Sequence, residues 1–494
     1  MKDALDRRGL FAAGLALSTA PSLARSAPTA LDQTWLDAVG IANLVRRRKL
    51  SPLEAVDAAI ARAERLQPKL NFMVTTDYDR ARDRARTARI DLPLAGVPFL
   101  LKDLIDYPGL PTRRGSRSTA QDLPATQIAA HTQAYLDAGL QVLGKSSTPE
   151  FALLPTTEPL AFGPTRNPWN LDRSAGGSSG GAAAAVAAGV VPIASASDGG
   201  GSIRIPSSCC GVFGLKPSRG RMPGSGRAQT RAIELSVAHC ISRSVRDSAT
   251  LLALTENARP PAPLTPLGLV SRPGQRRLRI GLLTETDSGG APDPDVLDAT
   301  LATARLLESL GHDLRPTRWP FAYTSYLPAF MALWSGGTAS TVKQIAAQTG
   351  RSVDETMVEP FTLSFARAFD QLPPGEFGRA VETLNGLSAN FEAWMSGFDV
   401  LLSPVLAKPP PRLGWVSSQT PYETLVEHLR DYVGYTTFFN VVGAPAMSVP
   451  LHRSPDGLPI GSHFVAPING ERTLLELAFE LEAAAPWRDR HPIL

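Results

Sequence analysis

Two serines set among glycines, and one lysine inside an apolar run, are the residues best suited to covalent chemistry. Asp198-Gly199-Gly200-Gly201-Ser202-Ile203-Arg204 places three glycines ahead of a serine. Such a loop lets consecutive backbone N–H groups converge on one point, as a tetrahedral oxyanion requires. Ser202 can then attack a carbonyl, provided another group removes its proton. Upstream, Gly176-Gly177-Ser178-Ser179-Gly180-Gly181 precedes an Ala-rich helix. It has three readings. One is a phosphate cradle, although the Walker Lys-Ser/Thr ending is absent. Another is a G-x-S-x-G nucleophile elbow centred on Ser178 or Ser179, which needs a strand directly before it; Asn167 to Arg173 does not read as one. The third is a proton relay through Ser178. Lys102 lies within Val97-Pro98-Phe99-Leu100-Leu101-Lys102-Asp103-Leu104-Ile105, where burial would lower its pKa and make it a neutral base. Taken alone, it also reads as a strand-end lysine paired with Asp103.

Composition narrows the chemistry. The seven histidines form no HExxH pair and none lies near these motifs, so Lys102 is the available base. The three cysteines, Cys209 and Cys210 adjacent, suit neither a disulfide scaffold nor a four-Cys zinc site. No metal or cofactor is expected. A net charge of +4, without a basic block, gives nucleic acid little to bind. With 494 residues, 43% of them hydrophobic, the chain can bury a large core.

The elements that must position these residues alternate. Trp35 to Arg46 is helical, and Ser51-Pro52-Leu53-Glu54 opens a second helix as a capping box. Asp77 to Arg89 reads as a third. Strands are expected at Val97–Leu101, Val142–Leu143, Val190–Ser195 and Val212–Leu215, with helices at Thr126–Ala138 and Ala182–Ala188 between them. This is an α/β pattern with helices covering the sheet. Glu256 to Arg277 is a Pro-rich connection. Then follow a strand (Arg279–Leu283), a helix (Asp293–Leu310) and helical sequence to Trp394. Strands return at Val400–Leu402, Ala446–Val449 and Ile460–Val465, and Glu471–Ala485 closes the chain as a helix. At the N-terminus, residues 1–26 have a charged start with Arg7 and Arg8, an apolar run from Leu10 and small residues after it. That is a secretory signal, with an Arg pair that suggests the twin-arginine route. A periplasmic or secreted protein is expected.

The order and spacing of Lys102, Ser178 and Ser202, with the stretch from Gly176 to Pro217, resemble the amidase signature family. The resemblance runs from about Leu94 to Arg246 and resumes at Asp399–Pro404, Asn440–Pro450, Gly457–Gly461 and Leu481–Trp487. It implies an α/β fold: one large mixed β-sheet with helices on both faces, spanning 30–494, with a mainly helical insertion at about 290–395. It implies amide hydrolysis through a serine acyl-enzyme, with a glutaminase-type amidotransferase subunit or an esterase/urethane hydrolase using the same triad as alternatives. Lys102 would be the base, Ser178 the bridging serine after a cis Gly177–Ser178 peptide, and Ser202 the nucleophile. The N–H groups of Gly199, Gly200, Gly201 and Ser202 would hold the oxyanion, and Ser179, Asp198 and Arg204 would support the loops. Thr156-Thr157-Glu158-Pro159 and Ser207-Ser208-Cys209-Cys210-Gly211 look like the branch containing aminohexanoate cyclic-dimer hydrolases. The apolar stretch Phe151–Pro155 would suit an aliphatic or aryl acyl group. Tyr323, Tyr326, Phe330 and Trp334 would cover the site or pack in the core.

Overall fold

The computed structural model describes residues 33–224, 233–258 and 264–494; the expected signal at 1–26 lies outside them. In chain order the strands are β1 (Met73–Thr76), β2 (Pro98–Lys102), β3 (Gln141–Ser146), β4 (Arg166–Asn167), β5 (Asn170–Ser174), β6 (Ile193–Asp198), β7 (Phe213–Lys216), β8 (Val237–Ser242), β9 (Arg279–Leu282), β10 (Asp313–Pro316), β11 (Val400–Pro404), β12 (Ala446–Arg453) and β13 (Pro459–Val465). Among the described residues, eleven strands form one mixed sheet in the order β1-β3-β2-β6-β8-β7-β12-β13-β11-β9-β10. Strands from both ends of the chain therefore share one sheet.

Period-2 alternation decides which face each β2 side chain takes. Phe99 and Leu101 pack with the helices Ala38–Arg46, Ala130–Asp137 and Val245–Thr255. Leu100 packs on the opposite face with Pro52–Leu70 and Gly180–Ala187. Lys102 continues the register of Leu100, so it emerges on the side where the helix after Ser178 begins. Both faces are covered, which explains why β2 reads as an unbroken apolar run.

The helix Gly180–Ala187 is built only from Gly, Ala and Val and is buried along its whole length. Small side chains let it lie close against the sheet, so its first turn brings Ser178 and Ser179 near the ends of β2 and β6. The capping box at Ser51 is present: its Oγ accepts from Glu54 N, and Ser51 N donates to Glu54 Oε2 at 2.8 Å.

Several expectations are corrected. Asn167 to Arg173 is part of a small antiparallel hairpin, β4–β5. Its polar, exposed residues carry no apolar alternation, and it stands apart from the main sheet. β6 extends past Ser195 to Asp198, because Ser197 and Asp198 pair with Ala238 and Val237 of β8. β8, Val-Ala-His-Cys-Ile-Ser, is a strand not expected from the sequence; His239 and Ser242 interrupt its apolar residues, and both are buried.

Gly181→Ala tests the close packing. Helix propensity alone would favour Ala by up to about 1 kcal/mol. The added Cβ would lie 2.5 Å from the Phe72 carbonyl oxygen and press on Ser147 backbone. Overpacking should therefore destabilise the protein by about 1–3 kcal/mol, measured by denaturant unfolding; a more stable variant would refute the packing argument.

Candidate active site

Lys102, Ser178 and Ser179 are fully buried, and Ser202 is 9% exposed. Lys102 Nζ donates to Ser178 Oγ at 2.7 Å and to Ser197 Oγ at 3.1 Å. Burial pulls the Lys102 pKa down to about 7, with Asp198 opposing the shift only in part. The pairing of Lys102 with Asp103 is not made. Asp103 instead accepts from the backbone of Arg113 and lies 3.9 Å from Lys145.

Gly177–Ser178 is a cis peptide. Thr157 clasps both sides of it: its Oγ1 donates to Gly176 O at 2.9 Å and accepts from Gly180 N at 3.1 Å. Ser179 turns away from the cleft, exchanging 3.4 Å hydrogen bonds with the Ser197 backbone. Its hydroxyl is thus engaged with the end of β6, which disfavours the elbow centred on Ser179.

Asp198 and Arg204 form the frame of the glycine loop. Arg204 binds both carboxylate oxygens, Nε to Oδ2 and Nη2 to Oδ1, each at 2.9 Å. Burial would raise the Asp198 pKa, yet the Arg204 guanidinium holds it well below the usual carboxylate range. Arg204 also donates to Asn440 Oδ1 at 2.7 Å and to Thr436 O at 3.1 Å. Its Nη1 meets His463 Nε2 at 3.1 Å. An arginine can only donate, so Nε2 accepts and the proton sits on Nδ1, facing Ser403 Oγ at 3.0 Å. Burial and the adjacent Arg204 push the His463 pKa down, which keeps the ring neutral.

The loop departs from expectation at one amide. Gly201 N donates to Asp198 Oδ1 at 2.7 Å, so it is not free for an oxyanion. The N–H groups of Gly199, Gly200 and Ser202 make no hydrogen bond among the described residues. Gly201 has φ +130°, and a Cβ there would lie 2.5 Å from Thr436 Oγ1; only glycine fits. Ser202 Oγ likewise makes no hydrogen bond among the described residues, so of the expected relay only the Lys102–Ser178 link is formed. Catalytic contacts commonly tighten only when substrate arrives.

Ser202 and Gly200 open into a cleft of about 860 Å³, part of it open to solvent. Leu153, Leu154 and Pro155 form one wall, as the apolar stretch before Thr156 suggested; Phe151 lies outside it. Tyr323, Phe330 and Trp334, from the helix Tyr323–Thr349, form another. Tyr326 is buried instead, its hydroxyl bonded to Thr437. The aromatics thus divide between cover and core. Cys209 and Cys210 are buried, and burial pushes the Cys209 thiol up to about 12, away from thiolate chemistry.

Across the chain, a family model described as Amidase matches residues 54–475. The chain belongs to the amidase signature family. A putative amidase AmiC of Mycobacterium leprae (strain TN) is 38% identical over 92% of this chain and 96% of its own length. The 6-aminohexanoate-cyclic-dimer hydrolase of Pseudomonas sp. (strain NK87) is 36% identical over 93% and 97%. A solved 6-aminohexanoate cyclic dimer hydrolase with substrate bound matches with TM-score 0.85 at 34% identity, over 93% of this chain and 99% of that one. The protein is accordingly an amidase, a hydrolase of small-molecule amides outside peptide linkages.

Ser197, Thr157, Thr436, Ser403 and His463 were not legible as site residues. Ser197 had a signal, its position one step before Asp198; Thr157 comes from a loop 19 residues before Gly176, and Thr436, Ser403 and His463 come from the far part of the chain, the last two on sheet strands. Asp198→Asn keeps the shape of the frame and removes the charge facing Arg204. Leaving a buried guanidinium uncompensated should cost about 3–5 kcal/mol, read by denaturant unfolding at pH 7. A loss under about 1 kcal/mol would show that the loop does not lean on this pair.

Proposed function

We propose that this amidase works through a serine acyl-enzyme with Ser202 as nucleophile, Ser178 as proton relay and Lys102 as base. The observation that carries the reading is the 2.7 Å contact between a buried, low-pKa Lys102 and Ser178, beside a glycine-framed serine that opens into the cleft. Neutral Lys102 takes a proton from Ser178, Ser178 takes one from Ser202, and Ser202 Oγ adds to the amide carbonyl. The free amides of Gly199, Gly200 and Ser202 supply the oxyanion hole, a contribution of about 10²–10³ in rate for each donor. The relay returns the proton to the departing nitrogen, and water then cleaves the acyl ester. Asp198 and Arg204 hold the loop, and Ser179 holds the end of β6; none of the three exchanges a proton with substrate. The leucines and aromatics of the cleft favour a substrate whose reacting carbonyl is joined to an aliphatic or aryl group.

Ser202→Ala should lower kcat on an amide turned over by the wild type by about 10⁶-fold, and abolish labelling by a fluorophosphonate probe. Ser179→Ala should keep a measurable rate. In the wild type, kcat/KM should fall as pH drops through about 7, because protonated Lys102 cannot accept a proton. The reverse behaviour of the two serine variants would overturn the assignment.

Residues 1–26 bear on location. We infer export to the periplasm or beyond, through the twin-arginine route that carries folded proteins. N-terminal sequencing of protein from periplasmic and cytosolic fractions should find a periplasmic form beginning near Ala27; an intact Met1 in every fraction would refute export.

A further inference from the structure

One charged group on the cleft wall has no part in the acyl-transfer machinery. Asp287 lines the same cleft as Ser202, and it forms no ion pair among the described residues. Arg430, which also faces the cleft, lies 3.6 Å from Asp431 instead. The Asp287 carboxyl is held by its own backbone and by Ser288 N–H. Its backbone N–H donates to Gly434 O at 3.0 Å, which fixes the loop against the wall. Three tyrosines surround it: burial, and then the charge of Asp287, push the Tyr323, Tyr326 and Tyr435 hydroxyls up.

The helix Tyr323–Thr349 carries residues beside both this carboxylate and the glycine loop. Trp334 stands over the glycine loop, 3.3 Å from where a Gly200 Cβ would be. Tyr326 and Tyr323 lie eight and eleven residues earlier on the same helix. Their backbones lie roughly 12–16 Å from that of Trp334 along the axis, but the Tyr326 hydroxyl donates to Thr437 at 2.7 Å, and the Thr437 methyl lies 3.6 Å from where the same Gly200 Cβ would be, so side chains bring the two regions closer than the helix rise alone. The wall between them is apolar, with Leu327, Phe330 and Met331.

We propose that Asp287, set among tyrosines on the wall of the cleft that Ser202 opens into, is a specificity residue that receives the ammonium group of an ω-amino acyl amide. A carboxylate beside aromatic rings is the chemistry that recognises an alkylammonium ion, and the apolar wall takes the methylene chain. The assignment rests on the acyl-enzyme reading, because Ser202 fixes where the carbonyl lies. Burial raises the Asp287 pKa to about 7, with backbone amides opposing, so recognition strengthens as pH rises through that value. The ionisable groups around it include the three tyrosines, Glu285, Arg430 and Asp431.

Binding to Ser202→Ala, which cannot turn over, tests this by calorimetry. The probes are 12-aminododecanamide and dodecanamide, with 8-aminooctanamide and octanamide as the shorter pair. At pH 8 the amino amide of at least one pair should bind at least ~10-fold tighter than its uncharged counterpart. That ratio should fall to about one in Ser202→Ala/Asp287→Asn, and also in Ser202→Ala at pH 5.5. Equal affinities, no binding by either probe, or a ratio that survives both Asp287→Asn and acid would overturn the proposal. If Asp287→Asn fails to fold, the pH comparison decides alone. Failure of the Ser202 reading would appear separately, as amide turnover that persists in Ser202→Ala.

Discussion

A lysine amine shut away from water is the constraint on which the rest of the site depends. Lowering the Lys102 pKa from 10.5 to about 7 corresponds to about 5 kcal/mol against the charged form. The sign follows from linkage: this cost to stability is fully present below about pH 7 and fades as pH rises toward the unfolded value. The fold accepts it because β2 must bury both faces, and its alternation sends Lys102 toward the helix that starts after Ser178. A solvated lysine at this position would remain charged at neutral pH and could not act as a base.

The second constraint is a loop of glycines that must nevertheless be rigid. Its stiffness comes from Asp198, which gathers Gly201 N–H, Ile203 N–H and the Arg204 guanidinium in one buried network. Because the Asp198 pKa is depressed, its contribution to stability is complete above about pH 4 and is lost as pH falls toward the folded-state value. Asn440 and His463 close the same network from the far end of the chain. The halves of the sequence are thus joined at the site by charge as well as by the sheet.

Much of this was legible in the sequence, for identifiable reasons. The apolar runs of β2, β3 and β7 and the capping box at Ser51 are local signals, and they located those elements to within a few residues. Ser178, Ser202 and Lys102 stood out because their neighbours are unusual for their types. What local signals could not show were contacts made by topology: His463 beneath Arg204, Thr157 around the cis peptide, and Asp287 on the cleft wall. β8 escaped notice because its apolar residues are broken by His239 and Ser242, which neighbours from elsewhere in the chain bury. The expectation that Gly201 would serve the oxyanion failed for a similar reason, since its amide is claimed by Asp198 three residues earlier, a turn that composition alone does not reveal.

Everything else in the site serves a Lys102 amine that is neutral at working pH. It can be read directly by NMR titration of protein labelled at the lysine side chains, with Lys102→Met assigning the resonance. A signal that titrates near pH 7 and vanishes in the variant is the expected result. A Lys102 amine that titrates near 10, as free lysine does, would contradict the account.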